Sequence, residues 1–257
     1  MTGDDHVLAR DLAGQAGQRL LELRAQGGDP DVLRKAGDRL SHEFLTAALA
    51  GQRPGDVVLS EEGADNPARL GARRVWIVDP LDGTREFGEP GRSDWAVHVA
   101  LWEKGDVSGP GDLTAGAVAL PAQDTVLSTL EPPPGPPGDE APARISIVVS
   151  RSRPPSFVRN ISGLINAELV PLGSAGAKVA AVICGEVDAY VHGGGFYEWD
   201  TAAPVAVARA AGLHASRIDG SALAYNQPDL LMPDILVCRP AVAGILLRAI
   251  REVTHAS

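Results

Sequence analysis

The chain has little that would tie it to disulfide chemistry, to nucleic acid or to a membrane. Only two cysteines occur in 257 residues, Cys184 and Cys238. They lie far apart in apolar segments and form no CxxC pair, which argues against a disulfide framework and predicts reduced, buried structural thiols. Basic residues are in the minority: 23 Lys and Arg stand against 33 Asp and Glu, for a net charge of -10. No basic face for a nucleic-acid polymer is therefore expected. No apolar run reaches membrane-spanning length, and the opening Met-Thr-Gly-Asp-Asp-His lacks the basic-then-apolar pattern of a signal peptide. The expectation is a cytoplasmic protein with no membrane partner. The six histidines are scattered, none at the i, i+4 spacing of a zinc helix, so they receive no metal role. There is no repeat of fixed period.

What is present suffices for a sizeable core, since 44% of residues are hydrophobic. Leucine spacing predicts helices over residues 7–26 and 38–50, the second with Asp38 as its N-cap. Strands are expected at 57–59, 75–78, 95–101, 114–120 and 125–130, the last three as antiparallel neighbours because only turn residues separate them. The proline-rich stretch 131–143 suits neither helix nor central strand and is the candidate linker between halves 1–130 and 144–257. Beyond it, strands at 145–149, 169–172, 187–191 and 235–238 alternate with helices at 155–165 and 175–183, a third opening at Asp200 and a fourth over 242–253. That alternation signals α/β architecture.

Chemistry concentrates in Val75-Trp-Ile-Val-Asp-Pro-Leu-Asp-Gly-Thr-Arg-Glu-Phe87. An apolar run ends at Asp79, and Asp82-Gly83-Thr84 has the residues of a turn that opens a helix. Two carboxylates at the carboxyl end of a strand could grip a hard cation such as magnesium, while the Gly83 and Thr84 amides would favour a phosphate. Kinase-like, nuclease-like and phosphatase readings all fit this stretch alone. Elsewhere Glu61-Glu62 ends a strand, and Asp200 opens a helix in Glu198-Trp-Asp-Thr-Ala-Ala-Pro204. Alone, Asp200 and Asp38 read as ordinary caps and Glu61-Glu62 as a solvated pair. If Glu61, Asp79, Asp82 and Asp200 converge, their mutual repulsion requires a cation. An all-oxygen set selects magnesium or manganese over zinc, and two such ions could drive phosphate hydrolysis.

Through Glu61-Glu62, Asp79-Pro-Leu-Asp-Gly-Thr84 and Trp199-Asp-Thr-Ala-Ala203, in that order, the chain resembles the magnesium-dependent, lithium-sensitive inositol monophosphatase superfamily. The resemblance implies a layered αβαβα sandwich made of an α+β half and an α/β half. It implies two or three Mg2+ ions, replaceable by Mn2+ and opposed by Li+. Glu61, Asp79 and the Leu81 carbonyl correspond to ligands of the activating ion, and Asp79, Asp82 and Asp200 to those of the second. Asp38 and Thr84 would orient the attacking water, with Glu61 also catalytic; the Gly83 and Thr84 amides would hold the phosphate, which Asp200 also faces. Glu62 would stand behind the direct ligands.

Val149-Ser-Arg-Ser152, Gly173-Ser-Ala-Gly-Ala-Lys178 and the Glu198-Trp-Asp-Thr-Ala-Ala203 variant further resemble the bisphosphate nucleotidase branch, which removes the 3'-phosphate of 3'-phosphoadenosine 5'-phosphate, a by-product of sulfate activation, with its sulfated precursor as a further expected substrate. Ser150, Arg151, Ser174 and Lys178 would then approach a phosphorylated nucleotide. Blander roles are a helix N-cap for Ser174 and a solvated charge for Arg151. Arg153 and Ala203 depart from residues common in that branch, His and Gly. Inositol monophosphate or fructose 1,6-bisphosphate hydrolysis is the nearest alternative, and a non-catalytic phosphometabolite-binding protein the alternative from another class. Relatives of this kind are often dimers, so a homodimer is also implied.

Overall fold

A computed structural model describes residues 2–105, 110–136, 140–152 and 154–255. Helix α1 spans Thr2–Ala25 and α2 spans Pro30–Gln52. Asp29 caps α2 by accepting from the Asp31 and Val32 amides, and Pro30 supplies the preset first-turn φ. Asp38 is thus inside the helix and is not its cap, a correction explained by the stronger Asp29-Pro30 start upstream.

Strands β1 (Val57–Ser60) and β2 (Arg74–Asp82), the short helix α3 (Thr84–Gly88), and strands β3 (Ala96–Glu103), β4 (Asp112–Leu120) and β5 (Thr125–Ser128) follow. They form a five-stranded sheet in sequence order, parallel between β1 and β2 and antiparallel elsewhere. After the proline-rich stretch come β6 (Ser146–Ser150), α4 (Ser156–Ile165), β7 (Glu168–Leu172), α5 (Ala175–Ile183), β8 (Ala189–His192), β9 (Phe196–Tyr197) and α6 (Glu198–Ala210). The chain ends with β10 (His214–Ser216), β11 (Leu231–Met232), β12 (Ile235–Cys238) and α7 (Pro240–His255). The second sheet has the order β10-β12-β8-β6-β7, and β9 pairs with β11 in a separate small ladder.

Strand alternation explains the layering. Trp76 and Val78 of β2 join Val97 and Val99 of β3 in a core with α1 and α2, whereas Val75 and Ile77 point the other way, into a core shared with α5, α6 and the second sheet. The far face of that sheet, with Ile147, Val191 and Leu236, packs on α4 and α7. The order helix, sheet, helix, sheet, helix is the expected αβαβα sandwich. Because both faces of β2 are covered, its stretch Val75 to Val78 is a continuous apolar run with no polar alternation.

Other expectations shift by a few residues at element ends. Cys238 is buried as expected, but Cys184 is exposed just past the end of α5. No helix among the described residues is long and apolar enough to cross a membrane. Arg153 and residues 137–139 of the proposed linker lie outside the described residues.

Candidate functional site

Parallel pairing of β1 with β2 sets Ser60 beside Val78, so Glu61, just past β1, and Asp79, where β2 runs on beyond its β1 partner, stand side by side. The Glu61 amide still donates to the Val78 carbonyl. Pairing of β2 with β3 shifts register between Asp79 and Asp82. Pro80, with no N–H to offer a ladder, lies within that irregularity. Gly83 then turns the chain at φ 83°, a left-handed value that favours glycine, and a Cβ there would lie 3.0 Å from Ser174 Cβ and 3.2 Å from the Asp94 carbonyl. The bulge and the turn aim Asp79 and Asp82 toward the start of α6.

The third helix of the second half is expected to open at Asp200, with capping as that residue's blander role, but α6 begins at Glu198 and Asp200 sits in its first turn, accepting from the Tyr197 amide at 2.5 Å. The earlier start is anchored by the buried Glu198 carboxylate, which takes the Asn226 and Gln227 amides at 2.7 Å each. Asp79, Asp82 and Asp200 each present an oxygen within 4.8 Å of the others. Glu61 is outside that triad, but its carboxyl is close enough for its charge to act on Asp79 and to feel Asp200.

The rest of the chain treats these acids unequally. Burial and then the neighbouring Glu61, Asp82 and Asp200 charges push Asp79 well above the usual carboxylate range. Glu61 is exposed as a residue, yet desolvation of its carboxyl, followed by repulsion from Asp200, raises it to about 7. Burial and the Asp82 charge raise Asp200 to about 6. Burial would raise Asp82 too, but the His98 ring beside it, the Ser174 hydroxyl and the Lys178 charge outweigh it and hold Asp82 at about 2. Asp82 accepts from Ser174 Oγ at 2.5 Å, the Gly176 amide at 2.6 Å and the Ala175 amide at 3.1 Å. Ser174 is also the N-cap of α5, the blander of the two roles expected for it.

The acids fit a hard cation on an observation independent of their number. Asp79 Oδ2 is buried and has no hydrogen-bond partner, although Oδ1 accepts the Leu81 amide at 3.0 Å. A buried carboxylate oxygen facing other carboxylates without a donor is costly unless a cation takes it up. The Leu81 carbonyl accepts from Thr84 Oγ1 at 3.0 Å and keeps a second lone pair for a ligand. Thr84 Oγ1 is also 3.3 Å from Asp38 Oδ1. Burial, then the Glu62 charge, raises Asp38 to about 6.

Beside the acids opens a cavity of about 370 Å3 bounded by Gly83, Thr84, Ser150, Ser152, Ser174 and Lys178, with Glu86 on its wall. Of the residues expected to contact substrate, Gly83, Thr84, Ser150, Ser174 and Lys178 line this cavity, Asp200 belongs to the neighbouring acid triad, and the Arg151 guanidinium bonds Glu86 at 2.7 Å and Glu89 at 3.0 Å. Lys178 is buried under the turn, donating to the Ser174 carbonyl at 2.7 Å and the Gly173 carbonyl at 3.3 Å, and burial lowers its pKa. A larger cavity of about 520 Å3 touches α5 but contains none of the clustered acids. Sequence reasoning overlooked His98, Glu86 and Glu198; a histidine inside the apolar run of β3 was the available signal for the first.

The sequence pattern of the inositol monophosphatase family matches residues 8–255. A Mycobacterium leprae protein named 3'-phosphoadenosine 5'-phosphate phosphatase is 51% identical over 261 residues, covering 97% of this chain and 94% of the relative. The 3'(2'),5'-bisphosphate nucleotidase CysQ of Escherichia coli K12 is 31% identical, over 84% of this chain and 91% of its own. Among solved structures, CysQ from Bacteroides thetaiotaomicron superposes with a TM-score of 0.76 at 28% identity, covering 92% of this chain and 97% of that one. Inositol monophosphatase II from Staphylococcus aureus reaches 0.81 at 22% identity, covering 97% and 96%, a likeness of fold.

Proposed function

The chain belongs to the inositol monophosphatase family, and from that premise we propose that it hydrolyses the 3'-phosphate of 3'-phosphoadenosine 5'-phosphate to give AMP and phosphate. The observation that carries the reading is the junction of two environments: a triad of acids suited to a cation, and next to it a cavity edged by Ser150, Ser174 and Lys178. One site would take the phosphate that is cut and the other the phosphate that is kept. The name of the relative at 51% identity supports the same substrate.

In this reading Glu61, Asp79 and the Leu81 carbonyl hold one Mg2+, and Asp79, Asp82 and Asp200 another. When bound, such ions polarise the phosphoryl oxygens, activate water and neutralise the leaving oxygen. The chain's own groups do the rest. The Gly83 and Thr84 amides at the start of α3 fix the 3'-phosphate. Thr84 Oγ1 orients the attacking water and passes its proton toward Asp38 Oδ1, 3.3 Å away. Asp38, raised to about 6, is suited to accept a proton near neutral pH. Ser150, Ser174 and Lys178 hold the 5'-phosphate, and Arg151 serves by neutralising Glu86, which would otherwise repel it. The two halves, 1–130 and 144–257, contribute opposite walls of this cleft.

A phosphate-release panel tests the assignment. The nucleotide should be hydrolysed with a higher kcat/KM than inositol 1-phosphate or fructose 1,6-bisphosphate at matched Mg2+. The reverse order would make the chain an inositol or sugar phosphatase. Nucleotide binding with no phosphate released from any substrate would make it a sensor.

A further inference from the structure

His98 is fully buried in β3, and with Ala96 and Ala100 it faces the layer of α5 and α6. Its ring bridges parts of the site that are remote in sequence. Nδ1 donates to the Trp199 carbonyl in the first turn of α6 at 3.1 Å, and the edge that carries Nε2, which makes no hydrogen bond, lies against Asp82, 3.3 Å from its Oδ2. Asp79 Oδ2 is 3.9 Å from Nδ1. Gly176 supplies a second, independent observation. It lies in the first turn of α5 without a left-handed φ, so the backbone there does not call for glycine, and glycine in a helix costs about 1 kcal/mol against alanine. What does call for it is the imidazole: a Cβ at position 176 would come within 2.1 Å of His98 Nε2.

We propose that His98 is a positioning residue whose ring, seated in the space Gly176 leaves open and bonded to the Trp199 carbonyl, packs between Asp82 and the start of α6 and thereby sets the spacing between Asp82 and Asp200. The role rests on the cation-binding reading of the acids, but not on the identity of the substrate. Removing a group that orients a ligating side chain typically weakens metal affinity by about 10- to 100-fold.

Calorimetric titration of Mn2+ into chelator-stripped protein, without substrate, reads this directly. His98→Ala and Gly176→Ala should each weaken binding by at least about tenfold while far-UV circular dichroism is unchanged. The double variant should bind within about threefold of His98→Ala, because the alanine methyl has no ring left to displace. His98→Asn, which fills more of the space and keeps one donor, should fall between wild type and His98→Ala and remains informative if the alanine variant is unstable. Wild-type affinity in the folded His98 variants, or an undiminished Gly176→Ala penalty in the His98→Ala background, would overturn the proposal. A wild type that takes up no Mn2+ would instead overturn the cation reading, and this role with it.

Discussion

Asp79 and Asp82 leave the same strand end, yet the Asp82 side of the site is finished and the Asp79 side is not. Asp82 is wrapped by the Ser174 hydroxyl and two amides at the start of α5, and it is held as an anion at about 2. Asp79, Glu61 and Asp200 crowd one another, and one Asp79 oxygen is buried with no donor. The difference separates two uses of a carboxylate. One is a fixed anchor that fastens the first sheet to α5, and the other holds repulsion in reserve until a cation enters.

The sharpest way to break the comparison is Asp79→Asn. Phosphate release should fall by at least about 10²-fold, while the melting temperature of the metal-free protein at about pH 8 should rise because a repelling charge is gone. Activity and stability moving down together would show that Asp79 is an anchor like Asp82. On the other side, Ser174→Ala removes both a donor to Asp82 and the cap of α5. Stability should drop by about 1 kcal/mol in denaturant titration, and activity by about tenfold. Here both quantities fall.

The pH dependence follows with its sign. Acids raised in the folded protein, such as Glu61 at about 7 and Asp200 at about 6, favour the folded state while protonated. That contribution is lost as pH climbs from about 4, their unfolded range, through about 7. Asp82 acts oppositely, its contribution present above about 4 and lost as pH falls toward about 2. The metal-free protein should therefore melt higher near about pH 5 than near about pH 8, and saturating Mg2+ should flatten that slope. A metal-free melting curve flat over this range would remove the stored repulsion. The smallest effect belongs to Arg151→Gln, which loosens a part-buried pair with Glu86 and Glu89. KM for the nucleotide should rise by less than about tenfold with kcat little changed.

Much of the site was legible because its key turn is local. Asp79-Pro-Leu-Asp-Gly-Thr84 encodes strand end, bulge and left-handed turn in consecutive residues, and each feature is present in the fold. Ser150, Ser174 and Lys178 were named from two short motifs and line one cavity. What escaped depends on long-range partners. His98 reads as one more strand residue until β3 is laid against α6, 101 residues away in sequence. Arg151 reads as a free charge until the residues after β6 meet Glu86 of α3. Asp38 was misplaced for a local reason: the Asp29-Pro30 start lies in a polar stretch where leucine spacing gives no signal. Apolar patterning gave the α/β alternation and the family resemblance the layering, but neither gave the strand order of the second sheet, since β10 and β12 carry too few residues to announce their neighbours.

The most direct measurement is phosphate release from 3'-phosphoadenosine 5'-phosphate by chelator-stripped protein as Mg2+ is returned. Release should be absent without metal, should rise with Mg2+ occupancy and should leave AMP with its 5'-phosphate intact. Undiminished release from the stripped protein, or loss of the 5'-phosphate, would contradict a site in which the acids of two strand ends and a helix start work only once a cation has joined them.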